Sequence, residues 1–169
     1  MKKYIFIALT ALCVTNAIAQ KLEKPRIDKI TGDTTFEVKE EVLANPFTMV
    51  RHYLGSGILK GKGYYVLYFH LKEGGDAPYY VLQGTKATIK FTDGKLIQIT
   101  AVADEYSAYK PVVTESTISY HLTDSDIDAL ISGKISVVRV QTSVGAVDFE
   151  IKENKTDMIK KQLELISKK

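Results

Sequence analysis

The sequence predicts an α+β fold that is mainly antiparallel β-sheet, sandwich-like or curved, with a short helix near residues 124–132 and a C-terminal helix near 156–168. Three observations lead there. Several runs alternate apolar and polar residues with period 2, glycine-containing turns are spaced to close hairpins, and two late segments carry apolar residues every three or four positions.

At the start, Met1-Lys2-Lys3, an apolar stretch from Tyr4 to Val14, and Ala17-Ile18-Ala19 before Gln20 have the three-part layout of a secretory signal peptide. Residues 1–19 are therefore expected to be removed. The apolar stretch falls well short of the ~20 residues a membrane-crossing helix needs. Cys13 follows Leu12 rather than a small residue, which argues against lipidation. Residues 20–169 then read as a single β-rich domain, with no linker, charge block or internal repeat to divide them. No apolar run in that part approaches membrane-spanning length, so no transmembrane segment is expected after cleavage.

Within the domain, Phe36, Val38 and Val42 alternate with Glu37, Lys39 and Glu41 between Thr34 and Leu43, the pattern of a half-buried strand that Ala44-Asn45-Pro46 ends. Phe47 to Leu54 fits neither period. Gly55-Ser56-Gly57 to Gly61-Lys62-Gly63 is expected to be a loop. Tyr64 to Leu71 is apolar or amphipathic on both faces, as a central strand should be, and Glu73-Gly74-Gly75-Asp76 turns the chain. Tyr79-Tyr80-Val81-Leu82 begins a further strand after Pro78, where a missing N–H is tolerated.

Two hairpins can be tested for register, because a wrong pairing throws the apolar residues of one strand onto the face opposite its partner's. A three-residue loop, Thr92-Asp93-Gly94, pairs Ile89 with Ile97 and Ala87 with Ile99, which puts both apolar sets on one face. A two-residue turn there would mix the faces. Around Val144-Gly145 a two-residue turn places Val140 opposite Phe149, Val138 opposite Ile151 and, on the solvated face, Arg139 opposite Glu150.

Each helix has its own start signal. Thr123 caps the first, from Asp124 to Ser132, with Asp126 at its third position, Ile127, Leu130 and Ile131 on one face, and Gly133 at its end. The second lies near Thr156 to Lys168, with Ile159, Leu163 and Ile166 on its apolar face. The second half thus reads strand (Glu115 to Leu122), helix, strand (Ile135 to Thr142), strand (Val147 to Lys152), helix.

Composition narrows the function classes. The net charge of +3 falls to +1 once Lys2 and Lys3 are removed, and interspersed signs give no field to attract nucleic acid, so no nucleic-acid partner is expected. Cleavage also removes the one cysteine, which excludes a Cys–His nucleophile. Asp124-Ser125-Asp126-Ile127-Asp128 starts like a calcium loop, but Ala129 stands where glycine is needed and Ile135 where the bidentate glutamate should be. Gly57 to Lys62 lacks phosphate-loop spacing. His52, His70 and His121 form no H-x-x-x-H pair, and His70 and Glu73, three apart at the end of a strand, point to opposite faces. No catalytic residue, metal ligand or cofactor is therefore assigned. Tyr64, Tyr65, Tyr68, Tyr79 and Tyr80 form a cluster that could share one hairpin, and Tyr65, Tyr68 and Tyr80 are the candidate residues for binding a ligand or partner through stacked ring faces.

Asp28-Lys29-Ile30-Thr31-Gly32-Asp33-Thr34, the Asp93-Gly94 hairpin, Tyr120-His121-Leu122-Thr123 with Asp126-Ile127 and Leu130, then Val138-Arg139-Val140, Thr142, Gly145 and Val147-Asp148-Phe149-Glu150-Ile151-Lys152 together span most of the domain. In these the chain resembles a family of small exported, periplasmic or secreted, proteins of Bacteroidota that have no assigned activity. The resemblance implies export to the periplasm, cell surface or exterior of a Gram-negative bacterium, and transfers no site. The expected function is a non-enzymatic binding or interaction module for a protein partner or small ligand. The alternatives are a small periplasmic hydrolase with spatially assembled carboxylates, and an assembly factor for envelope proteins.

Overall fold

A computed structural model describes residues 21–44, 52–74, 77–110 and 113–169, with the backbone alone described at His52. The expected signal peptide with its expected cleavage site, the stretch from Asn45 to Arg51, and the Gly75-Asp76 part of the expected turn lie outside the described residues. The architecture is α+β and mainly antiparallel β-sheet, with a short mid-chain helix and a C-terminal one.

Strand β1 (Arg26–Ile27) turns into β2 (Thr34–Ala44) through the Asp28–Asp33 segment, where the Asp28 carboxylate accepts from the backbone N–H groups of Ile30 and Thr31. Then follow β3 (His52–Gly61), β4 (Tyr64–Glu73), β5 (Tyr80–Val81), β6 (Lys86–Phe91), β7 (Leu96–Ala101), β8 (Glu105–Tyr106), β9 (Ala108–Lys110) and β10 (Val113–Leu122). Helix α1 (Asp124–Ser132) leads to β11 (Ile135–Thr142) and β12 (Gly145–Glu150), and α2 (Met158–Ser167) closes the chain. One antiparallel sheet runs in the order β1-β2-β3-β4-β10-β7-β6-β11-β12, with β9 added beside β10. β5 and β8 form a separate two-stranded ribbon.

The inner face of this sheet carries Leu54, Ile58, Leu67, Phe69, Ile118, Ile89, Val138 and Phe149, all buried in one apolar cluster with Leu130 of α1 and Ile159, Leu163 and Ile166 of α2. Strands from both ends of the path contribute to that cluster. Tyr79, Thr114, Thr142 and Val147 also line a single cavity of about 220 Å³, so the sheet curls β11 and β12 back toward the ends of β4 and β10. Curling one sheet around its own apolar face buries a core without a second sheet.

The helices follow their sequence signals. The Thr123 hydroxyl accepts from Asp126 N–H while the Asp126 carboxylate accepts from Thr123 N–H, a complete capping box, and Leu130 is the buried residue of α1. In α2 the expected apolar face is buried, and Gln162 is buried with it. Gln162 Nε2 donates to the Ser56 carbonyl (2.8 Å) and its Oε1 accepts from Ser56 Oγ (3.0 Å), which seats the helix on β3.

Three expectations need correction. The Gly55-to-Gly61 stretch is not a loop but most of β3, paired with both β2 and β4. The second hairpin turns at Ser143-Val144, so Val140 faces Val147, Val138 faces Phe149 and Arg139 faces Asp148. Its register is displaced by two residues from the expected one, a displacement that leaves every side chain on its expected face and so escapes a test based on faces. Thr142 Oγ1 donates to the Gly145 carbonyl (2.8 Å) and accepts from Val144 N–H (3.3 Å), and Gly145 takes φ +127°, which glycine alone adopts readily. Finally, β2 does not alternate throughout: its register shifts between Val38 and Glu41 and again before Ala44, leaving Val42 exposed while Leu43 and Ala44 are buried. The first hairpin does pair Ile89 with Ile97 and Ala87 with Ile99, with Gly94 at φ +89°.

Candidate functional site

The outer face of the sheet is polar, and two regions of it hold organised side chains. The first lies across β2, β3, β4, β9 and β10. Alternate positions of β3 on this face are Gly55, Gly57, Leu59 and Gly61, and a Cβ at any of the three glycines would overlap a side chain lying across the strand: Glu40 over Gly55, Tyr68 over Gly57 and Tyr64 over Gly61. The glycines thus form a shallow track for their neighbours' side chains.

Over this track Tyr53 Oη donates to Glu40 Oε1 (2.5 Å), and His70 Nδ1 lies 3.1 and 3.0 Å from the two Glu40 oxygens. A carboxylate only accepts, so this contact places a proton on Nδ1. The other ring nitrogen, Nε2, lies 4.0 Å from Glu115 Oε2, and Glu115 also pairs with Lys110 and, at 4.0 Å, with Lys72. Lys72 Nζ sits 5.2 Å from the Tyr53 ring centre. The His70 hydrogen bond, helped by that from Tyr53, holds the Glu40 carboxyl below the usual carboxylate range against the opposing effect of burial. Lys110 does the same for Glu115. Burial and the hydrogen bond to Glu40 push the Tyr53 hydroxyl up.

Glu40 reaches this cluster because of the bulge in β2. Strict alternation would group it with Phe36, Val38 and Val42; the register shift after Val38 brings it onto the outer face beside His70. His70 meets Glu115 of the adjacent β10 and Glu40 of β2, which reaches it across Gly55 of β3, whereas Glu73, its partner by spacing, follows on the opposite face of β4. Among the described residues no group of three or more His, Asp or Glu side chains could hold a metal ion.

The second region is a groove of about 390 Å³ lined by Thr88 and Lys90 of β6, Gly94 of the hairpin turn, Leu96 of β7, and Val137 and Arg139 of β11. Cross-strand register explains the set. Leu96, Lys90 and Val137 stand in one row across three strands, and Thr88 and Arg139 stand side by side in the next. Arg139 is held by a two-point contact, Nε to Asp148 Oδ1 and Nη2 to Asp148 Oδ2, both 2.6 Å. That contact lowers the Asp148 pKa and raises that of Arg139.

The tyrosines expected to act together are separated. Tyr65 and Tyr68 are three apart on β4, hence on opposite faces: Tyr65 packs against the core with Lys60 Nζ 5.4 Å from its ring centre, and Tyr68 lies over Gly57. Tyr68 is only 8% exposed, and its hydroxyl donates to Glu37 (3.2 Å), which Arg26 contacts in turn. Tyr80 belongs to the β5–β8 ribbon, 45% exposed and tilted against Tyr106 with ring centres 6.1 Å apart. Tyr79, beside it, is buried with its hydroxyl 2.7 Å from Ser116 Oγ. β4 pairs with β3 and β10, so Tyr79 and Tyr80 share no hairpin with it. Fold and site together define an α+β protein on one curled antiparallel sheet, with a polar cluster and an amphipathic groove on its outer face. No family model, curated protein or solved structure matches the chain.

Proposed function

We propose that the protein is an exported, non-enzymatic binding module that captures its ligand in the outer-face groove of β6, β7 and β11. The observation that carries this reading is the groove itself: a concavity of about 390 Å³ with apolar walls from Leu96 and Val137 and polar groups from Thr88, Lys90 and Arg139. That size and mixture suit a small-molecule site. The signal-peptide layout of residues 1–19 supports export, and the described residues contain no helix long and apolar enough to cross a membrane.

The competing reading, a small hydrolase built on spatially assembled carboxylates, needs one carboxyl that retains its proton near neutrality. Glu40 and Glu115 are the carboxylates that face His70, and both are shifted the other way. Ion pairing and hydrogen bonding already engage each of them.

A thermal-shift screen of sugars, peptides, metal ions with chelator controls, and amphiphiles tests the reading, run in parallel on the protein and on Val137→Asp, which replaces an apolar wall of the groove with a carboxylate opposite Lys90. A ligand specific for the folded state raises the melting temperature. The expected result is a rise for one ligand class that is absent in V137D. A rise that V137D leaves unchanged, or a flat screen on a cooperatively melting protein, contradicts it.

A further inference from the structure

The groove also discriminates by charge. Lys90 stands between Leu96 on β7 and Val137 on β11, directly opposite each in register. Of the two cations lining the groove, Arg139 is paired by Asp148, while no ion pair engages Lys90 among the described residues. Lys90 and Arg139 are diagonal neighbours on adjacent strands, which brings both cations to the same stretch of the groove. Asp148 takes two of the five N–H donors of Arg139 and fixes the plane of its guanidinium, so the remaining donors are presented without an ordering cost. Thr88, beside Arg139, adds a hydroxyl. Leu96 remains 61% exposed at the wall of the same groove, an apolar side chain that the fold leaves uncovered next to the unpaired cation.

Resting on the reading of this groove as the binding site, we propose that its ligand is a small organic anion with an apolar body, a carboxylate-bearing amphiphile. The carboxylate meets Lys90 and the free donors of Arg139, and the hydrocarbon lies along Leu96 and Val137. Opposite charge chooses the head, and the flanking apolar pair chooses the tail.

Calorimetric titration of the protein with octanoate, octanol and inorganic phosphate tests this, repeated on Lys90→Gln, Leu96→Ser and, as a remote control, Lys62→Gln. Octanoate is expected to bind with one site per chain, octanol and phosphate about tenfold or more weakly, and K90Q to lose about tenfold for octanoate, the worth of one charge-assisted hydrogen bond. L96S weakens octanoate binding and K62Q leaves it unchanged. Equal binding by K90Q, equal binding of octanol, or no octanoate heat from a cooperatively melting protein overturns the proposal. If octanoate fails while another class in the thermal-shift screen is protective and sensitive to V137D, the anionic ligand class falls and the groove reading stands. If no class is sensitive to V137D, both fall.

Discussion

At the scale of single residues, polar groups placed in the interior are the most informative. Tyr120 is fully buried against Phe69, with ring centres 5.6 Å apart, and its hydroxyl is the one buried side-chain polar atom without a hydrogen-bond partner among the described residues. An unsatisfied buried group costs about 1–3 kcal/mol, so Tyr120→Phe, which keeps the ring, is expected to equal or exceed the wild-type stability in urea. A loss above about 1 kcal/mol contradicts this account of the core. Glu40 gives a pH dependence with a definite sign. Its folded-state pKa lies below its ordinary value, so the stabilisation is complete above the unfolded carboxylate pKa and is lost as pH falls through the depressed folded value. Below about pH 4.5, unfolding stability should therefore fall less steeply with acid in Glu40→Gln than in the wild type. Parallel acid limbs for the two proteins contradict the assignment.

At the scale of elements, β3 shows how a glycine-rich strand is misread. Gly55, Ser56, Gly57 and Gly61 have the composition of a loop, and only the side chains that cross them from β2 and β4 make a strand the stable outcome. Gly57→Ala is expected to cost about 1–3 kcal/mol by displacing the Tyr68 ring, and much less in a Tyr68→Ala background. Equal costs in the two backgrounds contradict that packing. On the opposite face Gln162 and Ser56 form a matched pair between α2 and β3. Gln162→Met should lose about 2 kcal/mol by leaving the Ser56 hydroxyl buried without a partner, and Ser56→Ala added to it should recover part of that loss. A double-mutant cycle in denaturant measures the coupling, and additive losses contradict the pairing.

At the scale of the whole molecule, what could be read from the sequence was whatever local periodicity and local capping encode. The β-rich α+β class, α1 with its Thr123–Asp126 box, the apolar face of α2 and the Ile89–Ile97 hairpin all depend on residues within one or two turns of each other. The site depends on long-range register. Glu40, His70 and Glu115 are brought together by a bulge and by three strand pairings, and Leu96, Lys90 and Val137 by two further pairings, none of which leaves a spacing signal along the chain. The tyrosines are dispersed for the same reason, since adjacency in sequence on a strand alternates faces: Tyr65 and Tyr68 separate, and Tyr80 lies on another ribbon. The curl of the sheet decides which face becomes interior, leaving the β6–β7–β11 groove on the outer face. That groove as the seat of recognition is the central claim, and amide chemical-shift mapping of the compound giving the largest thermal shift tests it most directly. Shifts concentrated on Thr88, Lys90, Leu96, Val137 and Arg139 are the predicted result; shifts centred on Tyr80 and Tyr106, or on Glu40 and His70, with the groove unmoved, would contradict it.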